Sequence, residues 1–315
     1  MLFGRPLFRF VRKETHINFM RGRYIGLITS AVLSIASLVL FFYPGLTLGL
    51  DFRGGVVVEA KTTTAIDFSQ LRAVLKSHGI QHASLQSFGS DRDVLIQLDT
   101  EKGQNTQILV DQVRHTLVQT MPGTTILRAD AVGPSVSAEL FRNGILALVL
   151  SLAMILAYVW VRFEWGFALS AVITLILDLT KTIGFLVVTG FEFNLVMVAA
   201  ILTILGYSTN DKVVVYDRVR ENLRRYRNMP FIDLINLSIN ETLNRTLGTS
   251  STVFLASLPL ALWGGHTLSG FAWTMLFGIV VGTSSSIFIA APLLLIMGEG
   301  RLKAAMKKSV ESRRA

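Results

Sequence analysis

The 315-residue sequence contains no cysteine, and only 16% of its residues are charged. The first absence excludes disulfides, thiolate metal sites and a cysteine nucleophile. The second excludes an ordinary soluble domain, in which about 25% of residues carry charge. Hydrophobic residues make up 51% of the chain and the mean hydropathy is +0.53, so the chain reads as an integral membrane protein. Acidic residues are the scarcer sign, 21 against 30 Lys and Arg, for a net charge of +9. The cations flank apolar runs, a placement that membrane topology explains and a nucleic-acid groove does not. A phosphate-binding GxxxxGK[ST] loop, a nucleophile elbow and an HExxH pair are all missing. The five histidines have no metal-ligand spacing. No catalytic residue, metal or cofactor is expected, and any work done across a membrane must draw on a partner or an ion gradient.

Six segments are long and apolar enough to cross a bilayer, which takes about 20 residues: 24–43, 142–160, 167–188, 194–216, 246–263 and 271–297. A basic leader, residues 1–23, carries Arg5, Arg9, Arg12, Lys13, Arg21 and Arg23. The first span ends in "FFYPG" without a small-residue cleavage site, so it reads as a retained anchor. The leader, the 217–245 loop and the tail 298–315 are strongly basic, whereas the loops 189–193 and 264–270 hold no Lys or Arg. The positive-inside rule then places both termini of a multi-pass membrane protein in the cytoplasm.

Residues 44–141 remain as one extracytoplasmic segment. Its pattern is strand "GVVVEAK", helix "DFSQLRAVLKSHG", strand "HASLQSFG", strand "DVLIQLD", helix "NTQILVDQVRHTLVQTM" and strand "TTILRADAVG". Asp67 and Asn105 are placed as helix N-caps and Gly79 as the residue after a helix end. The order βαββαβ is the split βαβ of ferredoxin-like folds. The expected architecture is six transmembrane helices plus this small α+β domain, with Val56, Val58, Leu71, Val74, Leu75, Leu95, Val113 and Leu117 in its core.

Ionisable residues inside spans are the candidates for function, because burying them in lipid costs about 2.5–3.5 kcal/mol each on insertion scales. Asp211, in "GYSTNDKVVVYDRVRENLRR", lies six residues inside the fourth span from Asp217, roughly 9 Å at helical rise. It either faces the bundle interior or snorkels to the interface beside Lys212. Asn210 precedes it, and Asp217 sits at the boundary among arginines. Arg245 opens the fifth span at a depth matching Asp211 on an antiparallel helix, so the two can pair if those helices touch. Thr246, Thr249, Ser250, Ser251 and Thr252 follow it with hydroxyls suited to bonding across helices. Asp178 and Lys181, at i and i+3 in the third span, share a helix face as a self-neutralised pair or as a second proton-relay carboxylate. Gly278 and Gly282 form a GxxxG packing face that Ser284–Ser286 continue.

The segments "GLDFRGG" (49–55), "VGPSVSAEL" (132–140), "GYSTNDKVVVYDRVREN" (206–222), "LNRTLGTSSTV" (243–253) and "GTSSSIFIAAPL" (282–293) resemble, in order, the signatures of the SecF family. That resemblance implies one half of the SecD–SecF accessory unit of the bacterial Sec translocon, related to the RND transporters. It implies SecD and the SecYEG translocon as partners, with YajC and YidC in the same assembly and unfolded preproteins as cargo. It also implies coupling to the proton gradient, with Asp211 as the titrating carboxylate and Arg245 as its cation. Lys212 departs from the family pattern, which has a small or hydroxyl residue there. The alternatives are an RND-like half-transporter of small molecules and a membrane scaffold that moves no ions. A topology test comes first: reporters fused after Asp99 and after Arg227 should fall in opposite compartments, and one shared compartment would sink the six-span reading.

Overall fold

Within hydrocarbon, backbone N–H and C=O groups have no water to bond, so a spanning segment must close its hydrogen bonds on itself as a helix. A computed structural model describes residues 15–80, 83–88, 90–99 and 106–296; the arginines of the leader through Lys13, Asn105 and the tail lie outside them. Six helical segments are long and apolar enough to cross a bilayer: 19–42, 134–162, 165–189, 195–225, 231–263 and 268–296. The chain is a multi-pass membrane protein with a small antiparallel sheet. It divides into two compact units, the first formed by residues 1–46, 148–191 and 199–315, the second by 47–147 and 192–198.

The helices are α1 (Arg23–Phe42), α2 (Leu50–Arg53), α3 (Phe68–Ser77), α4 (Thr106–Thr120), α5 (Pro134–Arg162), α6 (Trp165–Thr189), α7 (Leu195–Arg225), α8 (Phe231–Trp263), α9 (Gly265–Ser285) and α10 (Ala291–Ile296). A π-helical turn, Ser286–Ala290, joins the last two. Several run further than hydropathy alone marks. The basic 217–245 segment is nearly all helix because "DRVRENLRR" pairs along its own surface (Arg218 with Glu221 at 2.5 Å) and meets no breaker until Pro230.

In the first unit, small residues let helices approach closely. A Cβ on Gly184 of α6 would sit 2.2 Å from the Ser37 hydroxyl of α1. One on Gly278 of α9 would overlap Ile204 of α7, and one on Gly282 would press on Ser208 one turn further along α7. The Phe185 and Phe277 rings stack at 4.3 Å between α6 and α9. A large apolar cluster at the other end of the bundle joins Phe163, Phe167, Tyr216, Val219, Phe231, Leu234 and Ile235. It gives the amphipathic start of α8 its buried face.

In the second unit the strands β1 (Gly55–Lys61), β2 (Ala83–Phe88), β3 (Ser90–Leu98) and β4 (Thr125–Val132) form one antiparallel sheet in the order β2-β3-β1-β4. Val56 faces Leu98 on one side and Ala131 on the other. Asp67 caps α3 by accepting from the Ser69 and Gln70 amides, and Gly79 ends it at φ +86°. The core holds Val56, Val58, Leu71, Leu75, Val94, Ile96, Leu98, Val113 and Leu117. Two expected core residues differ. Val74 is only half-buried on the rim of α3. Leu95, though buried, points to the opposite sheet face, because β3 alternates and it is Val94, Ile96 and Leu98 that line the core. The apolar run "VLI" offers no alternation to choose between the faces.

The "GLDFRGG" segment also explains itself here. The Asp51 carboxylate accepts from the Leu195 amide at 3.0 Å, satisfying one of the free donors at the start of α7. Phe52 is buried against Phe141 and Phe193. Gly55 has φ +125°, and a Cβ there would meet the Leu98 carbonyl oxygen at 2.2 Å. Gly79, also at positive φ, has open space around it. Gly55→Ala should therefore cost roughly 2–4 kcal/mol, conformational strain plus a backbone clash, and Gly79→Ala about 1–2 kcal/mol of strain alone. Thermal unfolding of the two full-length variants checks the order, and equal losses would refute the close-approach explanation.

Candidate functional site

The polar centre of the first unit is built on α6, α7 and α9. Positions 208 and 212 lie one turn apart on α7 and share a face, whereas 207 and 211 share a different one. The first face turns to α6. There the Lys212 ammonium meets Asp178 Oδ2 at 2.9 Å. The same oxygen accepts from the Ser208 hydroxyl at 2.9 Å and the Ser285 hydroxyl at 2.7 Å. Lys212 also donates to Ser208 Oγ and, at 3.2 Å, to Ser285 Oγ. Lys181 approaches the other oxygen, Asp178 Oδ1, at 3.7 Å. Asp178 and Lys212 are each 1% exposed.

The second face turns to α8 and α9. Asp211, also 1% exposed, receives the Thr283 hydroxyl at 3.4 Å. Thr283 shares a 2.7 Å hydrogen bond with Ser250 of α8, and the Tyr207 hydroxyl donates to Ser250 at 2.9 Å. Among the described residues no cation lies within salt-bridge distance of Asp211. Its direct contacts lead into a short chain of neutral hydroxyls, and the Lys212 charge acts on it from nearby without bonding it. An apolar cavity of about 490 Å³ opens beside them on the α8–α9 seam, lined by Leu247, Ser250, Phe254, Ile279, Thr283 and Ile287.

Sequence reasoning assembled these residues differently. Lys212 neither reaches for the interface nor partners Asp211; it turns to α6 and binds Asp178. Asp178 and Lys181 do share a helix face, but the shorter contact to Asp178 comes from Lys212, two helices being able to offer what i, i+3 spacing alone reaches less well. The structure does not bring Arg245 to Asp211: Arg245 is exposed on α8 and makes no salt bridge among the described residues. Asn210 is exposed as well, and Thr249 bonds only to backbone carbonyls of its own helix. Asp217 pairs with Arg162 at 3.0 Å, both about half exposed. Gly278 and Gly282 lie at the α7–α9 contact. The hydroxyls of Tyr207, Ser208, Thr283 and Ser285 were not legible as site residues. Tyr207 and Ser208 each had one signal, their i−4 spacing from Asp211 and Lys212.

Six apolar helices with carboxylates and ammoniums buried among them define a polytopic membrane protein. The profile for "Protein export membrane protein SecD/SecF, C-terminal" matches residues 112–300, and that for the "SecD/SecF GG Motif" matches residues 39–66. The protein translocase subunit SecF of Rickettsia bellii is 40% identical over 296 residues, covering 94% of this chain and 98% of that protein. The SecF subunit of Rickettsia prowazekii is 41% identical, covering 91% and 92%. The crystal structure of SecDF, a translocon-associated membrane protein of Thermus thermophilus, superposes with a TM-score of 0.81 at 31% identity, over 91% of this chain. A second SecDF structure, in a super-membrane-facing form, gives 0.68 at 32% identity. This chain spans 39% and 41% of those two SecDF chains. The chain belongs to the SecD/SecF family of protein export membrane proteins, and the relatives it matches along nearly their whole length are SecF subunits.

Breaking a buried ion pair strands its partner, at a cost of about 3–5 kcal/mol. Lys212→Met should therefore lower stability by about that much, and more than Lys181→Met, whose contact to Asp178 is longer. Thermal unfolding of the solubilised full-length variants reads the difference; a Lys212→Met protein as stable as its parent would refute the pair's structural role.

Proposed function

We propose that this chain is the SecF-like subunit of a Sec export accessory complex and couples the proton-motive force to preprotein movement, with Asp211 as the proton-binding group. The observation carrying this reading is the contrast between the two buried carboxylates. Asp178 has three donors on one oxygen and an ammonium near each, so its charge is fixed in place. Asp211 is as deeply buried and has one direct partner, a hydroxyl at 3.4 Å, with the Lys212 charge acting on it from a distance. A carboxylate held out of water with so little compensation is the one whose ionisation responds to a small rearrangement. In the coupled cycle, a cation approaching Asp211 favours the charged form and release of a proton, and its withdrawal favours uptake. Arg245 is the cation assigned to that part. It is exposed in the isolated chain, on a surface that the SecD half is proposed to cover, and Asn210 shares that exposure.

Each elementary charge moved through 100 mV supplies about 2.3 kcal/mol. That is enough to bias a two-state domain and small beside the work of moving a whole preprotein, so many cycles are needed. The proposed assembly sits in the bacterial inner membrane with both termini cytoplasmic. SecD, SecYEG, YajC and YidC are its partners, unfolded preproteins on the outer side are its cargo, and it has no cofactor and no enzymatic step. The second unit, with its βαββαβ element order and β2-β3-β1-β4 sheet, is assigned as a ferredoxin-like outer domain acting on the emerging chain.

Asp211→Asn keeps the side-chain shape and removes the titration. In cells it should insert, co-purify with SecD and lose most of the proton-motive-force-dependent export of a reporter preprotein. Arg245→Met should also impair export, with the double variant little worse than either single, as expected of groups acting as a unit. Asp217→Asn should be mild. Parental export from Asp211→Asn would leave a scaffold that moves no ions.

A further inference from the structure

A second charged site lies at the far end of the bundle, where α5 ends, α6 begins and α7 projects past the apolar part of its span. A cavity of about 520 Å³ there is lined by Arg162, Asp217, Arg220, Glu221, Arg224 and Arg225. Its acids are already committed. Asp217 is held by Arg162 at 3.0 Å, and Glu221 by Arg218 at 2.5 Å, a residue outside the lining that also bonds Glu241 at 2.7 Å. The remaining cations are not matched. Arg224 and Arg225 make no salt bridge among the described residues; Arg225 lies over the Tyr226 ring at 5.4 Å and its charge acts on Glu241 from a distance. Arg220 donates to the Arg162 carbonyl at 3.4 Å, while its Nε is buried without a hydrogen-bond partner. One further acid is near. Glu164, just before α6, has both carboxylate oxygens buried and unbonded; burial pushes its pKa up, and Arg220 and Arg224 pull it back down. Five arginines (Arg162, Arg218, Arg220, Arg224 and Arg225) against the four carboxylates of Glu164, Asp217, Glu221 and Glu241 leave an excess of one positive charge around an open cavity.

What surrounds the cavity marks its depth in a membrane. Trp160 and Trp165 sit on either side of the α5–α6 turn, 61% and 63% exposed, with ring centroids 5.5 Å apart. Paired exposed indoles at helix ends belong at the headgroup level of a bilayer. Leu150, Met154, Tyr158 and Val161 form one exposed stripe along α5 that leads to Arg162. The site thus offers guanidinium forks at headgroup depth and an apolar track continuing from them. A soluble anion needs the first and has no use for the second. Arginine matches phosphate oxygens by its planar fork, and basic pockets at helix ends take anionic headgroups.

We infer that the arginine-lined cavity at the α5–α6 turn is a binding site for the phosphodiester headgroup of an anionic phospholipid. Arg220, Arg224 and Arg225 hold the phosphate oxygens, and the acyl chains lie along the α5 stripe. The excess positive charge selects an anionic headgroup over a zwitterionic one, and cardiolipin serves as the anionic probe.

Native mass spectrometry of the full-length chain released from lipid nanodiscs tests this. Cardiolipin should be retained, phosphatidylcholine of the same acyl length should not, and millimolar inorganic phosphate should not displace the cardiolipin. Arg220→Gln/Arg224→Gln/Arg225→Gln should weaken cardiolipin retention roughly tenfold or more. Arg72→Gln/Lys76→Gln/Arg114→Gln, which removes the same charge from exposed positions of the second unit, should leave it unchanged. Arg224 and Arg225 are exposed, so Arg224→Gln/Arg225→Gln gives the readout, a smaller loss, even if removing Arg220 disturbs folding. Retention unaffected by either arginine variant, equal loss in the control, or equal retention of phosphatidylcholine would overturn the proposal. Displacement by phosphate alone would reassign the cavity to free anions.

Discussion

One carboxylate oxygen organises the membrane-embedded unit. Asp178 Oδ2 accepts an ammonium and two hydroxyls, drawn from α7 and from the end of α9, while belonging to α6 itself. Removing an acid and a base from water costs several kcal/mol each, and the attraction between them repays it only when geometry is close and the remaining lone pairs are satisfied. Oδ2 meets that condition, whereas Oδ1 is buried without a hydrogen bond and has only Lys181 at 3.7 Å, and it is the Oδ2 contacts that dictate the packing. Ser208 must lie one turn from Lys212, Ser285 must reach the same point from α9, and α7 and α9 must approach nearly backbone to backbone. Gly278 and Gly282 permit that approach, since a Cβ on either would press on Ile204 or Ser208. Glycine spacing and ion pair are therefore one constraint viewed from two helices.

The same constraint separates the two acids of the site. A residue and its successor on a helix point about 100° apart, so Lys212, committed to α6, leaves Asp211 facing α8 and α9. The Lys212 ammonium is thereby bonded to Asp178, and Asp211 feels it only as a nearby charge without a direct contact. The two carboxylates, equally buried, end in opposite electrostatic situations, and this is what makes one of them structural and the other the candidate for titration.

Much of this was legible in sequence. The six spans follow from apolar runs because lipid imposes one requirement on every backbone group. The strand and helix order of the second unit follows from periodicity and from turn residues such as Gly79. The limits have definite causes. Leu95 was assigned to the wrong sheet face because "VLIQL" is apolar on both faces at its start, and a strand does not reveal its pleat there. The basic segment after Asp217 read as loop because hydropathy measures lipid solubility, whereas Arg218, Glu221 and Glu241 stabilise helix by pairing. Depth counting put Asp211 and Arg245 at one level but carries no information about rotation, and the exposed Arg245 lies on the part of α8 turned away. The hydroxyl partners were hidden for the same reason. Serine and threonine are common in membrane helices, and only the relative rotation of α7, α8 and α9 selects which of them meet a charge.

The bonds at the site are unequal, and that inequality bears on how a proton-driven movement would run. The link between α6 and α7 is ionic, and opening it strands charge at about 3–5 kcal/mol. The links from α7 to α8 and from α9 to α8 at the same depth are hydroxyl to hydroxyl, Tyr207 to Ser250 and Thr283 to Ser250. Such bonds within a membrane are worth about 0.6 kcal/mol each and find substitutes readily. The 490 Å³ cavity adjoins those weaker links. One proton moved through 100 mV yields about 2.3 kcal/mol, too little to open the ionic link and enough to exchange the hydroxyl ones. At that depth α7 is tied more firmly to α6 than to α8, whereas nearer the far end of α7 the Arg218–Glu241 ion pair at 2.7 Å and the Asn222–Ser238 hydrogen bond at 3.0 Å hold α8 to α7 as well.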